Sequence, residues 1–142
     1  YQDKDKFVNK INDFEIVSKR KPSELELKSL LLGWKLVKFV KSNAIVLNDD
    51  KQLLGVGAGQ MSRVDSVKIA IRKSKENKLN LNGSMMASDA FFPFPDSIEF
   101  AKDAGIIGVV QPGGSIKDND IIKVVNDLDL IMIFTKERHF YH

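Results

Sequence analysis

The chain has 142 residues, of which 43% are apolar and 29% charged, with a net charge of +3, the size and core content of one ordinary domain. Its basic residues are interspersed with acidic ones, so it carries no strong electrostatic footprint for nucleic acid, while the mild basic excess suits anionic small molecules. Cysteine is absent, which excludes disulfides and thiolate metal sites and makes a cytoplasmic location the expectation. No apolar run approaches the roughly 18 residues of a membrane-spanning helix, and the mixed-charge start, Tyr1 to Lys6, has neither an initiator methionine nor a signal-peptide layout. A fragment or processed chain of a soluble intracellular protein is therefore expected.

Residues 1–22 alternate charge with isolated apolar positions and end in Lys19-Arg20-Lys21-Pro22. They are expected to be a connecting segment, with one short strand from Phe14 to Val17. Ser23-Glu24-Leu25-Glu26 has the spacing of a capping box, in which a serine side chain and a glutamate three residues later each satisfy an amide of the first turn. It opens an apolar stripe at Leu27, Leu30, Leu31, Trp34, Val37 and Val40, predicting a helix from 23 to about 41. Lys28, Lys35, Lys38 and Lys41 occupy its other face, a solvated surface or the basic rim of a site.

Asn43 to Asn48 and Gln52 to Val56 are β-prone runs separated by Asp49-Asp50-Lys51, the layout of a hairpin. Glycines 55, 57 and 59 follow, then Gln60-Met61-Ser62-Arg63 and a helical pattern from Ser62 to about Asn77. A glycine-rich junction between strand and helix either relieves crowding or presents backbone amides and a helix N-terminus to an anion, where Arg63 could add a bidentate contact.

A third strand is predicted at Gly83 to Ala87, followed by Ser88-Asp89-Ala90-Phe91-Phe92-Pro93-Phe94-Pro95-Asp96. Proline fixes φ and removes a backbone donor, so the three rings must be presented by irregular backbone, either as core plugs or as the wall of a ligand pocket. Asp96, with Glu99 three residues on, is expected to cap a short helix. Ile106 to Val110 reads as a strand covered on both faces. Gln111-Pro112-Gly113-Gly114-Ser115 is a second glycine-rich turn, leading to a helix over about 117–128 and a strand at Leu130 to Phe134.

This order predicts an α/β fold with a three-layer architecture and a mixed sheet. In such sheets ligands gather at the carboxyl ends of strands. The loops at Gly57 to Arg63, Ser88 to Asp96 and Gln111 to Ser115 share that address, and Arg138 follows the last strand. Asn43, Arg63, Asp89, Ser115, Arg138 and the rings offer cationic, amide and stacking contacts, with few groups for proton transfer. His139 and His142 are the only imidazoles, so no metal site is expected. Asp89 and Asp96 could bind a cation, the latter being better explained as a helix cap.

Five blocks carry a resemblance: Trp34 to Val46, Gly55 to Val64, Ser88 to Phe94, Gln111 to Ile116, and Arg138-His139-Phe140-Tyr141-His142. In order and spacing they resemble the C-terminal part of the bifunctional purine-biosynthesis family AICAR transformylase/IMP cyclohydrolase, over about residues 29–142. The resemblance implies formyl transfer from 10-formyltetrahydrofolate, as co-substrate, to 5-aminoimidazole-4-carboxamide ribonucleotide. It implies a domain of two cytidine-deaminase-like halves, of which residues 23–142 look like the second, and a homodimeric parent with no nucleic-acid or membrane partner. By position, Asn43, Arg63, Phe91 and Arg138 match ribonucleotide contacts, with Asn43 in an orienting role at the formyl oxygen. Val64, Phe91, Ser115 and Ile116 match the folate side.

The chain departs from the family at one point. The catalytic Lys-His pair lies in the first half of the family's domain, and this sequence has no Lys-His dipeptide. The cyclohydrolase domain is missing as well. The isolated chain is therefore expected to be inactive, needing the first half to complete its site. The alternative is a stand-alone nucleotide-binding or regulatory module. A deaminase is rejected because the zinc ligands of such enzymes include cysteine.

Overall fold

A computed structural model describes residues 14–93 and 95–136 of the chain. Along these residues run β1 (Glu15–Ile16), α1 (Glu24–Val37), β2 (Ile45–Asn48), β3 (Leu53–Gly57), α2 (Arg63–Glu76), β4 (Met85–Ser88), α3 (Asp96–Ala104), β5 (Gly108–Gln111), α4 (Asp118–Asp127) and β6 (Ile131–Phe134). The strands form one sheet in the order β1-β6-β5-β4-β2-β3. β4, β5 and β6 are parallel, whereas β2 runs antiparallel to both of its neighbours and β1 antiparallel to β6. The sheet is mixed, as expected.

Strict alternation along each strand divides the core in two. Ile45, Leu47, Met86, Val109, Met132 and Phe134 pack with the apolar faces of α2, α3 and α4. Val46, Met85, Ala87, Val110, Ile131 and Ile133 pack with Leu30, Trp34 and Val37 of α1. One helix thus covers one face and three cover the other, giving the three layers. Each fully buried aliphatic side chain contributes about 1.5–3 kcal/mol.

The capping box forms as its spacing predicts: Ser23 Oγ accepts from Glu26 N at 3.2 Å and Glu26 Oε1 accepts from Ser23 N at 2.8 Å. The helix ends sooner than 41, at Val37. Phe39 N donates to Leu36 O and Val40 N to Val37 O, the three-residue bonds of a tightened helix end. The hairpin turn is held by Asp49 Oδ1, which accepts from Lys51 N and Gln52 N, both at 2.8 Å.

One expectation needs correction, and two are sharpened. The short strand expected between Phe14 and Val17 forms as the edge strand β1; beside it Phe14 meets Trp34 edge-on at 6.5 Å, and buried Ser18 accepts from Met132 N at 2.9 Å. Asp96 does not cap α3. Pro95 occupies that position, its carbonyl accepting from Ile98 N and Glu99 N, with no side-chain cap. Asp96 is thereby moved into the first turn, where its charge still suits the helix dipole. The glycines of β3 are packing residues, because a Cβ at Gly55 or Gly57 would collide with the backbone of Ala70 or Ser66 on α2.

Candidate functional site

The reversal of β2 brings together residues far apart in sequence. Ile45, at the start of β2, pairs with Gly57 at the end of β3 and with Ser88 at the end of β4. Asn43 therefore shares a sheet edge with the β3–α2 and β4–α3 loops.

A buried polar cluster fastens these ends. Asp89 is 1% exposed. Its Oδ1 accepts from Arg63 Nη1 at 2.5 Å and Ala44 N at 3.2 Å, and its Oδ2 accepts from Ser42 Oγ at 2.5 Å. Arg63 Nη1 also donates to Ser88 Oγ at 3.2 Å, while Nη2 donates to Asn43 Oδ1 at 2.7 Å. The Asn43 carboxamide in turn donates from Nδ2 to Gln60 O at 2.9 Å and Met61 O at 3.2 Å. One guanidinium thus links both flanking loops to the start of β2, and its charge is balanced by a carboxylate with which it forms a close buried ion pair.

Beside this cluster lies a cavity of about 570 Å³, within the range that small-molecule sites occupy. Asn43, Arg63 and Val64 line one side, and Ala90, Phe91 and Pro93 another. Met61 and Ser62 from the loop before α2, and Asp96 and Ser97 from the first turn of α3, complete the wall. The N-terminal turns of two helices therefore border one cavity, a favourable arrangement for an anionic or electron-rich group.

The aromatic loop divides as follows. Phe91 is half-buried and lines the cavity, whereas Phe92 is 1% exposed and belongs to the core. Phe92 N donates to Oε1 of buried Gln111 at 3.1 Å, which ties this loop to the end of β5. Gln111 O accepts from Thr135 N at 2.9 Å, bringing in the segment after β6. Phe94 and Arg138 lie outside the described residues.

Of the residues singled out from sequence, Asn43, Arg63, Val64 and Phe91 meet at the cavity. Ser115 and Ile116 do not line it; they stand on the neighbouring β5–α4 loop, with Ile116 97% exposed. Amides of both glycine-rich turns are engaged within the chain. Gly59 N donates to Lys41 O at 3.0 Å. Gly114 N and Ser115 N donate to the Asp118 carboxylate at 2.8 and 3.1 Å. Met61 and Asp96 line the cavity from within the loops expected to gather ligands, without having been named as ligand contacts, and Ser97 went unrecognised. Their one sequence signal was position, since each stands in or beside a loop that follows a strand and precedes a helix.

The fold is that of the cytidine-deaminase-like proteins. The chain superposes on the dCMP deaminase of cyanophage S-TIM5, solved in complex with dCMP and dUMP, with a TM-score of 0.53 at 15% identity, covering 80% of this chain and 98% of that one. Deaminases of this fold hold zinc through histidine and cysteine. That ligand set does not fit here: the sequence has no cysteine, and the described residues contain no group of three candidate ligands.

Residues 1–73 match the family described as AICARFT/IMPCHase bienzyme, and the chain belongs to that family. It is 51% identical over 141 residues to the bifunctional purine biosynthesis protein PurH of Chlorobium phaeobacteroides (strain BS1), and 50% identical over 141 residues to PurH of Wigglesworthia glossinidia brevipalpis. Each alignment covers 99% of this chain and 27% of the relative, so the chain spans about a quarter of the length of these proteins. Among the described residues no helix is long and apolar enough to cross a membrane.

Proposed function

We propose that this chain is the substrate-binding second half of a cytoplasmic formyltransferase domain. The domain moves a formyl group from 10-formyltetrahydrofolate to the amine of 5-aminoimidazole-4-carboxamide ribonucleotide, and is completed by a first half and by dimerisation. The observation that carries this reading is the cavity at the strand ends, where a clamped Arg63 and a half-buried Phe91 stand on adjoining walls. A guanidinium fixed by Asp89 offers its remaining N–H groups without loss of rotamer freedom, and a ring on a proline-stiffened loop adds a stacking surface at little ordering cost. Asn43 lines the same cavity. Its Nδ2 donates to the Gln60 and Met61 carbonyls, so an orienting role at the formyl oxygen requires the Gln60–Met61 segment to release that amide.

The chain by itself is proposed to bind without turnover, because the Lys-His pair to which the family resemblance assigns proton handling at the weakly nucleophilic amine is absent from its sequence. A binding module without chemistry is the second reading, and the absent Lys-His dipeptide favours it for the isolated chain. Calorimetric titration with the ribonucleotide and a folate analogue tests both. The chain is expected to bind the ribonucleotide, Arg63→Ala to weaken it by about 2 kcal/mol or more, as for other charge-assisted bonds, and formyl transfer to stay at background. Turnover near that of a complete bienzyme overturns the half-site reading. Binding of neither ligand overturns the assignment of the cavity.

A further inference from the structure

We propose that Asp118 is a positioning residue, which holds the β5–α4 loop in the shape that offers Ser115 and Ile116 to the folate. This rests on the functional reading above and concerns how the folate side of that site is built.

The loop is fastened at both limbs. On the descending limb, Lys136 N donates to Pro112 O at 3.0 Å, and Gly113 turns at φ +75° close to the Phe134 ring. A Cβ at Gly113 would lie 2.7 Å from Phe134 Cδ2. On the ascending limb the Asp118 carboxylate takes two successive amides, Gly114 N on Oδ2 at 2.8 Å and Ser115 N on Oδ1 at 3.1 Å. Asp118 N returns a bond to Ser115 O at 3.1 Å, and Ser115 Oγ accepts from Lys117 N at 3.0 Å. A carboxylate therefore occupies the backbone concavity that would otherwise attract an external anion.

The result is an isoleucine 97% exposed on a turn braced by the Asp118 carboxylate. Ordering the loop before the ligand arrives removes an entropic cost from binding. The hydrogen bonds to Asp118 are charge-assisted and lie next to Ile116 in sequence, so the carboxylate sets the loop's shape without itself needing to touch a ligand.

The test compares Asp118→Ala and Asp118→Asn in the full chain, with amide hydrogen exchange at Gly114 and Ser115 and titration of each ligand. Asp118→Ala is expected to raise exchange at both amides and weaken the folate analogue about tenfold, leaving ribonucleotide affinity within about twofold. Asp118→Asn, which keeps an acceptor oxygen, is expected to recover most of the folate affinity. If Asp118→Ala fails to fold, Asp118→Asn decides, since it must then lie measurably between wild type and loss. Folate affinity unchanged in both variants while the ribonucleotide binds normally overturns the positioning role and leaves the functional reading standing. An unaltered chain that binds neither ligand overturns the functional reading and the proposal together, whatever the exchange data show.

Discussion

Replacing Asp89 by alanine is expected to cost about 3–5 kcal/mol of folding free energy, the range for breaking a buried ion pair by removing one partner. The reasoning is local. Arg63 is 9% exposed on its side chain, so its charge is left largely desolvated, with water reaching it only from the cavity that it lines. The same substitution orphans Ala44 N and Ser42 Oγ, both bonded to that carboxylate. Each unsatisfied buried donor adds about 1–3 kcal/mol, partly relieved where water can enter. Urea denaturation measures the loss. Asp89→Ala combined with Arg63→Met should lose less than the sum of the single changes, because the second substitution removes the charge that the first leaves uncompensated. Strictly additive costs, or a loss below about 1 kcal/mol for Asp89→Ala, would show that the cluster is not the fastening described.

The second large effect separates two adjacent rings. Phe92→Ala is expected to cost about 3–5 kcal/mol, as truncation of a buried phenylalanine does, because the ring is 1% exposed and packs with the core beneath α2, α3 and α4. Phe91→Ala, at the half-buried neighbouring position, should cost clearly less stability and act on ligand affinity instead. Denaturation midpoints and ribonucleotide titration on the two variants make the comparison. Equal stability losses would erase the division of the loop into core and pocket wall.

How much of this was legible in the sequence depended on how local the cause was. The capping box at Ser23, the hairpin around Asp49 and the apolar strands could be read directly, since each depends on residues within a few positions of one another. The end of α1 could not, because Val40 keeps the apolar period while the backbone has already tightened after Val37. Asp96 has the right spacing to a glutamate for a cap, but the proline before it already holds near-helical angles and takes the cap position. For the glycines of β3 the deciding fact lay further along the chain, in the backbone of α2 at Ser66 and Ala70 that lies against them. Asn43 and Arg63 were identified as site residues. That each is already bonded to the other, and through Gln60, Met61 and Asp89 to both flanking loops, depends on the reversed direction of β2, which no periodicity reveals.

Gln111 gives this arrangement a geometric rule. Its side chain receives the amide of Phe92, its backbone carbonyl receives that of Thr135, and it is itself the last residue of β5. The aromatic wall, the segment leaving β6 and the loop carrying Ser115 and Ile116 thus all meet at one buried glutamine that need not touch any ligand. The two sides of the proposed site are therefore joined through the end of a central strand, and part of the site's width is a property of the sheet as well as of its loops.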